Sequence, residues 1–240
     1  MSILVTRPEP EASKLVASLQ QQGLQAWALP MLERQDLPET PEIRELVLNL
    51  DLFQQIIVVS YHGAIRFATL IDHYWPQWPV KIQWFAIGGK TASALAEWDI
   101  ESLCSSGVDS EALLTHPQLQ QVDNNKILIV KGVGGRDLLK DVLQQRGAQI
   151  TELALYQRVP AQYNKTEVQN LLASHQTDTI VATSGEIVTH LAGFLDQQWR
   201  NKLRLIVPSA RVADLSGTLG FAQVINANGA SEEAVIKVLV

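Results

Sequence analysis

Six short segments of this 240-residue sequence combine small hydroxylated residues, glycine and cations in a way that suits capture of an anion. They are Thr6-Arg7-Pro8, Ser60-Tyr61-His62-Gly63, Gly88-Gly89-Lys90-Thr91, Lys131-Gly132-Val133-Gly134-Gly135-Arg136, Thr183-Ser184-Gly185 and Pro208-Ser209-Ala210-Arg211. Small residues let a ligand approach the backbone, and free N–H groups at a helix start attract carboxylate or phosphate. Each segment alone reads equally well as a helix N-cap and nothing more. Together they favour an anion-binding cleft.

Other chemistries fail on spacing. Gly89-Lys90-Thr91 matches the end of a phosphate-binding loop, but the glycine that loop needs is Trp84. Gly132-Val133-Gly134 opens a dinucleotide fingerprint, but its third glycine is Asp137. His62, His73, His116, His175 and His190 lack metal-ligand spacing, and Cys104 is the sole cysteine, so neither a metal site nor a disulfide framework is expected. No GxSxG elbow surrounds Ser184, so a hydrolase triad has no support.

The elements that must position these segments alternate. Ile3–Val5, Ile56–Val59, Trp84–Ile87, Ile127–Val130, Thr179–Thr183 and Leu203–Val207 are short β-rich apolar runs, each stopping at Gly, Pro or Ser or shortly before one. Between them lie helical stripes. Ala12, Leu15, Val16 and Leu19 lead to Gly23, and Leu138, Leu139, Val142 and Leu143 lead to Gly147. Strands alternating with helices imply parallel sheets, whose ligands lie beyond the carboxyl ends of the strands. The plan is also written twice. Leu4–Arg34 aligns with Leu128–Arg158 at an offset of 124 with nine of 31 positions identical, and the same offset pairs Ser60 with Ser184.

Composition bounds the rest. A formal charge of −6 with 46% hydrophobic residues describes an ordinary globular chain and argues against a nucleic-acid partner. The start lacks signal-peptide character and no apolar run approaches a membrane span, so a cytoplasmic location without a membrane partner is expected.

Residues Ile127–Gly132, Gly135–Leu139, Gly147 and Leu155-Tyr156-Gln157-Arg158 resemble the most recognisable segment of the uroporphyrinogen-III synthases. The likeness extends through Thr6-Arg7-Pro8, Ile87–Ala92, Gly107–Leu113, Thr183-Ser184-Gly185, Pro208–Arg211 and Gly220-Phe221. It implies an α/β fold of two parallel-sheet lobes, arising by internal duplication and joined by a short two-stranded antiparallel ladder. Residues 1–33 with 161–240 would form the first lobe, 38–152 the second, and 34–37 with 153–160 the ladder. Duplication alone would instead divide the chain at residue 124.

The implied reaction needs no cofactor and no metal. Hydroxymethylbilane loses its hydroxyl as water and closes through a spiro intermediate, so that its terminal pyrrole ring is inverted. The protein must prevent the uncatalysed closure that gives the symmetric type I isomer, a task of positioning. By resemblance Tyr156, on the ladder and facing an interlobe cleft, would donate a proton to the departing hydroxyl. A packing tyrosine is the alternative. Arg7, Lys90, Lys131, Arg136 and Arg211 would meet some of the substrate's eight carboxylates, or else be solvated surface charges. Ser60, Thr91, Thr183, Ser184 and Ser209 would hold the rest beside helix-start N–H groups. The family often has Thr-Ser where this chain has Val59-Ser60. The resemblance further implies a monomer and leaves room for a transient contact with the preceding pathway enzyme. A non-catalytic two-lobed binder of an acidic small molecule is the competing reading.

Overall fold

The computed structural model describes residues 1–240 except 78, 80, 105–108, 136 and 240. In chain order the elements are β1 (Ser2–Val5), α1 (Glu11–Gln21), β2 (Gln25–Ala28), β3 (Leu32–Asp36), α2 (Pro41–Leu48), β4 (Gln55–Val58), α3 (Tyr61–Tyr74), β5 (Gln83–Ala86), α4 (Gly89–Ala96), β6 (Leu103–Cys104) and α5 (Ser110–Leu114). They continue as β7 (Lys126–Gly132), α6 (Leu138–Gln145), β8 (Gln149–Pro160), α7 (Lys165–Ser174), β9 (Thr179–Val181), α8 (Gly185–Phe194), α9 (Gln197–Lys202), β10 (Arg204–Val207), α10 (Ala210–Thr218), β11 (Gln223–Asn226) and α11 (Glu232–Lys237).

The chain forms two compact units, Met1–Arg34 with Val159–Val240, and Gln35–Arg158. The first holds a sheet of order β11-β10-β9-β1-β2; the other sheet, of order β3-β8-β7-β4-β5-β6, belongs to the second apart from residues 32–34 of β3 and 159–160 of β8. Every pairing within β1, β2 and β9–β11 is parallel, as is every pairing among β4–β8. The strand β3 runs the other way along β8. Leu37 N–H donates to Leu155 at 2.9 Å and Gln157 bonds Gln35 at 3.1 Å, while Ala161 N–H donates to Met31 at 3.1 Å.

Without β3, the two sheets follow one plan. In the first, Leu4 faces Trp27 and Ile180; in the second, Leu128 faces Thr151 and Ile56, the same partners at the offset found in the sequence. Each sheet takes two strands from one sequence copy and three from the other. The strands are apolar throughout because both faces are covered. Ile56 and Val58 pack into one core layer and Ile57 into the opposite one, as Leu4 does against Ile3 and Val5.

All six sequence-predicted strands form. Those missed are β2, β6 and β11, short edge strands where exposed and half-exposed positions break the apolar run, and the first four residues of β8, Gln149–Glu152, which precede the expected ladder segment. The two predicted helix stops hold to the hydrogen bond. After α1, Gly23 N–H donates to Gln20 and Leu24 N–H to Leu19; after α6, Gly147 N–H donates to Gln144 and Ala148 N–H to Leu143. Both glycines sit in the left-handed region, at φ +76° and +89°.

Their surroundings differ, which makes a comparison. A Cβ on Gly23 would meet nothing within 4 Å, whereas on Gly147 it would lie 2.3 Å from Asp123 Oδ1 and 3.1 Å from Asp123 Cα. Gly23→Ala should therefore cost about 1 kcal/mol of stability, the strain of the left-handed backbone alone. Gly147→Ala should cost ~2 kcal/mol or more, because backbone must move as well. Urea unfolding of the two variants checks the order.

Candidate active site

The second unit carries a cavity of about 380 Å³ at the carboxyl ends of its strands. Val59, Ser60, Ile87, the Lys131–Gly135 loop, Glu152, Tyr156 and Arg158 are among its walls. Its chemistry depends on how β8 lies against β7. Lys131 faces Ala154, but the next pair is Gly132 with Tyr156, a register shift that advances β8 by one residue. Val133 N–H then donates to the Tyr156 carbonyl at 2.8 Å.

The shift lays the phenol ring over Gly132. A Cβ there would fall 2.6 Å from two atoms of the Tyr156 ring, so the position admits no side chain while the ring stays in place. Tyr156 is 7% exposed, and its hydroxyl lies 2.9 Å from Ser60 Oγ. Ser60 is the N-cap of α3 and accepts the Gly63 N–H at 3.1 Å. The phenol oxygen thus reaches the positive end of a 14-residue helix. The His62 ring stands against the tyrosine, with centroids 4.7 Å apart and planes at 82°, and its Nε2 lies 2.8 Å from Asp36. Val59, where the family often has threonine, donates its N–H to Val130 and gives the cavity an apolar wall.

The cavity wall also carries a charge cluster. Lys131 Nζ is 2.8 Å from Glu152 Oε1, and Lys140 Nζ is 3.1 Å from Glu152 Oε2. The hydrogen bond from Lys131, opposed by partial burial and helped by Lys140, holds the Glu152 carboxyl below the ordinary glutamate range. The same contact raises the Lys140 ammonium.

Of the sequence-predicted residues, Ser60, Lys131 and Tyr156 meet around this cavity. Lys90 is exposed at the start of α4 and Thr91 is buried there, neither lining the cavity. Arg136 lies outside the described residues, as do Gly107 and Val108. Arg7, Thr183, Ser184, Ser209 and Arg211 belong to the first unit. There Ser184 and Ser209 cap α8 and α10, Thr183 is half-buried and Arg211 is exposed. Arg7 is buried and donates to the Ala230 carbonyl at 2.5 Å, and burial lowers its guanidinium from the ordinary value against the pull of Glu232 and Glu11. The offset that pairs Arg7 with Lys131 and Ser184 with Ser60 pairs Tyr156 with Leu32. Only one copy carries the phenol.

Sequence reasoning missed Glu152, Lys140 and Arg158, all on the cavity wall. A strand's period of two was no guide here, because the extra residue at the register shift puts Tyr156 on the face of Leu153 and Leu155, opposite Glu152. Two of the histidines make specific contacts. His175 stacks on Trp27 at 4.3 Å, and His190 Nε2 lies 2.9 Å from the Ala161 carbonyl. Among the described residues no group of three His, Cys, Asp or Glu could hold a metal, and no helix is long and apolar enough to cross a membrane.

The family described as uroporphyrinogen-III synthase HemD matches residues 13–237. The chain is 34% identical to the uroporphyrinogen-III synthase of Salmonella typhimurium and 33% identical to that of Escherichia coli, over the whole of each chain. In fold it is similar to the enzyme from Helicobacter pylori, with a TM-score of 0.62 at 14% identity over 99% of this chain and 97% of that one. A mutant Thermus thermophilus enzyme gives 0.60 at 16% identity over 100% and 98%.

Glu152 should titrate below the free glutamate value of about 4.3. Because the folded value is the depressed one, its contribution to stability is present above the unfolded value and is lost as pH falls through the folded one. Carboxyl-carbon NMR of the side chain reads this directly, and Lys131→Met should move the midpoint back up.

Proposed function

This chain belongs to the uroporphyrinogen-III synthase family, and we propose that in its cyclising reaction Tyr156 is the acid that releases the hydroxyl of hydroxymethylbilane. The enzyme is a cyclising lyase of haem biosynthesis. Loss of water and ring closure leave the oxidation level unchanged, so the chain's own groups suffice without a redox cofactor.

The observation that carries the assignment to Tyr156 is its 2.9 Å contact with Ser60 at the start of α3, at the wall of the cavity. A phenol holds its proton at neutral pH and can give it to a departing hydroxide, which leaves as water. Ser60 accepts the Gly63 N–H and keeps its own hydrogen, which can turn to the phenolate oxygen as the proton leaves. The helix terminus favours the same charge. The azafulvene cation that remains is attacked by the substituted carbon of the terminal pyrrole, giving the spiro centre. The bond from that carbon to its original methylene bridge then breaks to leave a second azafulvene cation, on which the free α-carbon of the same pyrrole closes, and the proton that carbon loses on regaining aromaticity restores the phenol.

A cavity of about 380 Å³ is of a size to receive one end of a tetrapyrrole. Its apolar side, Val59, Ile87 and Ile129, suits a pyrrole face, and Lys131 suits an acidic arm. Arg7, Lys90, Thr91, Arg136, Thr183, Ser184, Ser209 and Arg211 are proposed to meet the remaining arms, on the resemblance that first marked them. Fixing the chain in a bent form favours the substituted carbon over the free one, and positioning of this kind is worth up to about 7–11 kcal/mol.

We read the protein further as a cytoplasmic monomer, taking hydroxymethylbilane by transient contact with the enzyme that supplies it. The premature closure to the type I isomer gives such a transfer a purpose. Sedimentation should give a single species near 26.6 kDa.

Tyr156→Phe should lower turnover by one to two decades, since one positioned acid contributes about 10²–10⁴-fold, while circular dichroism stays that of the parent. Freshly generated hydroxymethylbilane is incubated with each protein, oxidised and resolved into porphyrin isomers. An unchanged rate of type III formation removes Tyr156 from the chemistry.

A further inference from the structure

The Lys131–Glu152–Lys140 cluster has a geometry that a surface ion pair does not require. The two ammonium groups converge on the two oxygens of a single carboxylate, at 2.8 and 3.1 Å, and all three side chains line the cavity that holds Tyr156. We propose that Lys131 and Lys140 form a binding subsite for a substrate carboxylate, occupied in the free protein by Glu152, which the substrate displaces. This rests on the reading of the chain as a synthase acting on a polycarboxylate.

Three features support displacement over a fixed structural bridge. The side chains of Lys131, Lys140 and Glu152 are 15%, 38% and 28% exposed, so water and solutes reach the contact. Ion pairs of that exposure contribute little to stability and are given up at small cost. Lysine is a point charge on a flexible stem, able to follow an incoming carboxylate where a planar guanidinium would hold its first partner.

The position also fits. Glu152 lies four residues before Tyr156 on β8, up to about 13 Å along the strand, and the register shift between them puts it on the opposite face, while both line the cavity. An acidic arm taken there belongs to a part of the substrate away from the reacting carbon, so the subsite acts on binding. Glu152 would then serve as an internal competitor. With it in place Lys131 also keeps Asp137 at 3.7 Å, and the two lysines face two carboxylates of the chain itself. Among the described residues the two lysines are thus matched in charge by Glu152 and Asp137.

The test uses uroporphyrin III, the stable oxidised form of the product, as a titrant with the full-length protein. Glu152→Gln keeps the shape and removes the competitor. It should tighten binding by roughly three- to tenfold and lower KM for hydroxymethylbilane, as expected for freeing one charged contact. Lys140→Gln should weaken binding by a similar factor. Where Glu152→Gln is poorly folded, Glu152→Asp, too short to span both ammonium groups, should tighten binding in the same direction. Unchanged or weakened binding by a folded Glu152 variant overturns the subsite, as does a fall in kcat with KM unmoved. The isomer assay on the parent protein separates the two readings. Type III product with no tightening sinks the subsite alone, whereas type I product alone sinks the synthase reading.

Discussion

The placement of one phenol ring over one glycine organises the second unit's site. Tyr156 lies where it does because the β7–β8 register slips by a residue at Gly132, and the ring occupies the space a side chain would take. Once seated, it is clamped from three directions: by Gly132 beneath, by Ser60 at its hydroxyl and by the His62 ring at its side. A side chain held on several sides loses little further freedom when substrate binds, and that is what makes an acid effective at a fixed point.

The duplication explains how such a site arises on one copy alone. The two sheets repeat the same strand order and register, and both repeat the serine cap, with Ser60 before α3 and Ser184 before α8. Both also carry a cation at the end of the first strand of the plan, Lys131 or Arg7. Their fates diverge with burial. Arg7 is enclosed and spends its guanidinium on the Ala230 carbonyl, whereas Lys131 faces a cavity and a carboxylate. With Leu32 in the place of Tyr156, the first unit keeps the anion-attracting turns without the acid.

A chain with net charge −6 still assembles a locally cationic wall, because electrostatics at short range depends on placement and not on the total. Lys131, Lys140 and Arg158 reach one cavity from β7, α6 and β8. Glu152 and Asp137 offset two of them, which keeps the lysines ordered until a stronger set of carboxylates arrives.

The sequence by itself determined the six apolar strands and the two helix stops, since continuous apolar runs and glycines in left-handed positions are local requirements that no packing choice alters. It determined the repeat as well, and through it the equivalence of Leu4 with Leu128 that the sheet registers follow. The anion-binding character of the turns was legible too, as residue types. What tertiary structure decided was which of those turns meet. Ser60 and Tyr156 are 96 positions apart, and no periodicity links them; only the order β8-β7-β4 of the sheet brings the end of β8 to the cap of the helix after β4. Lys90 and Thr91 share the same chemistry and were left off the cavity wall by the course of α4. Glu152 stayed hidden because a carboxylate in a strand reads as solvent-facing until the lysines that claim it are folded against it.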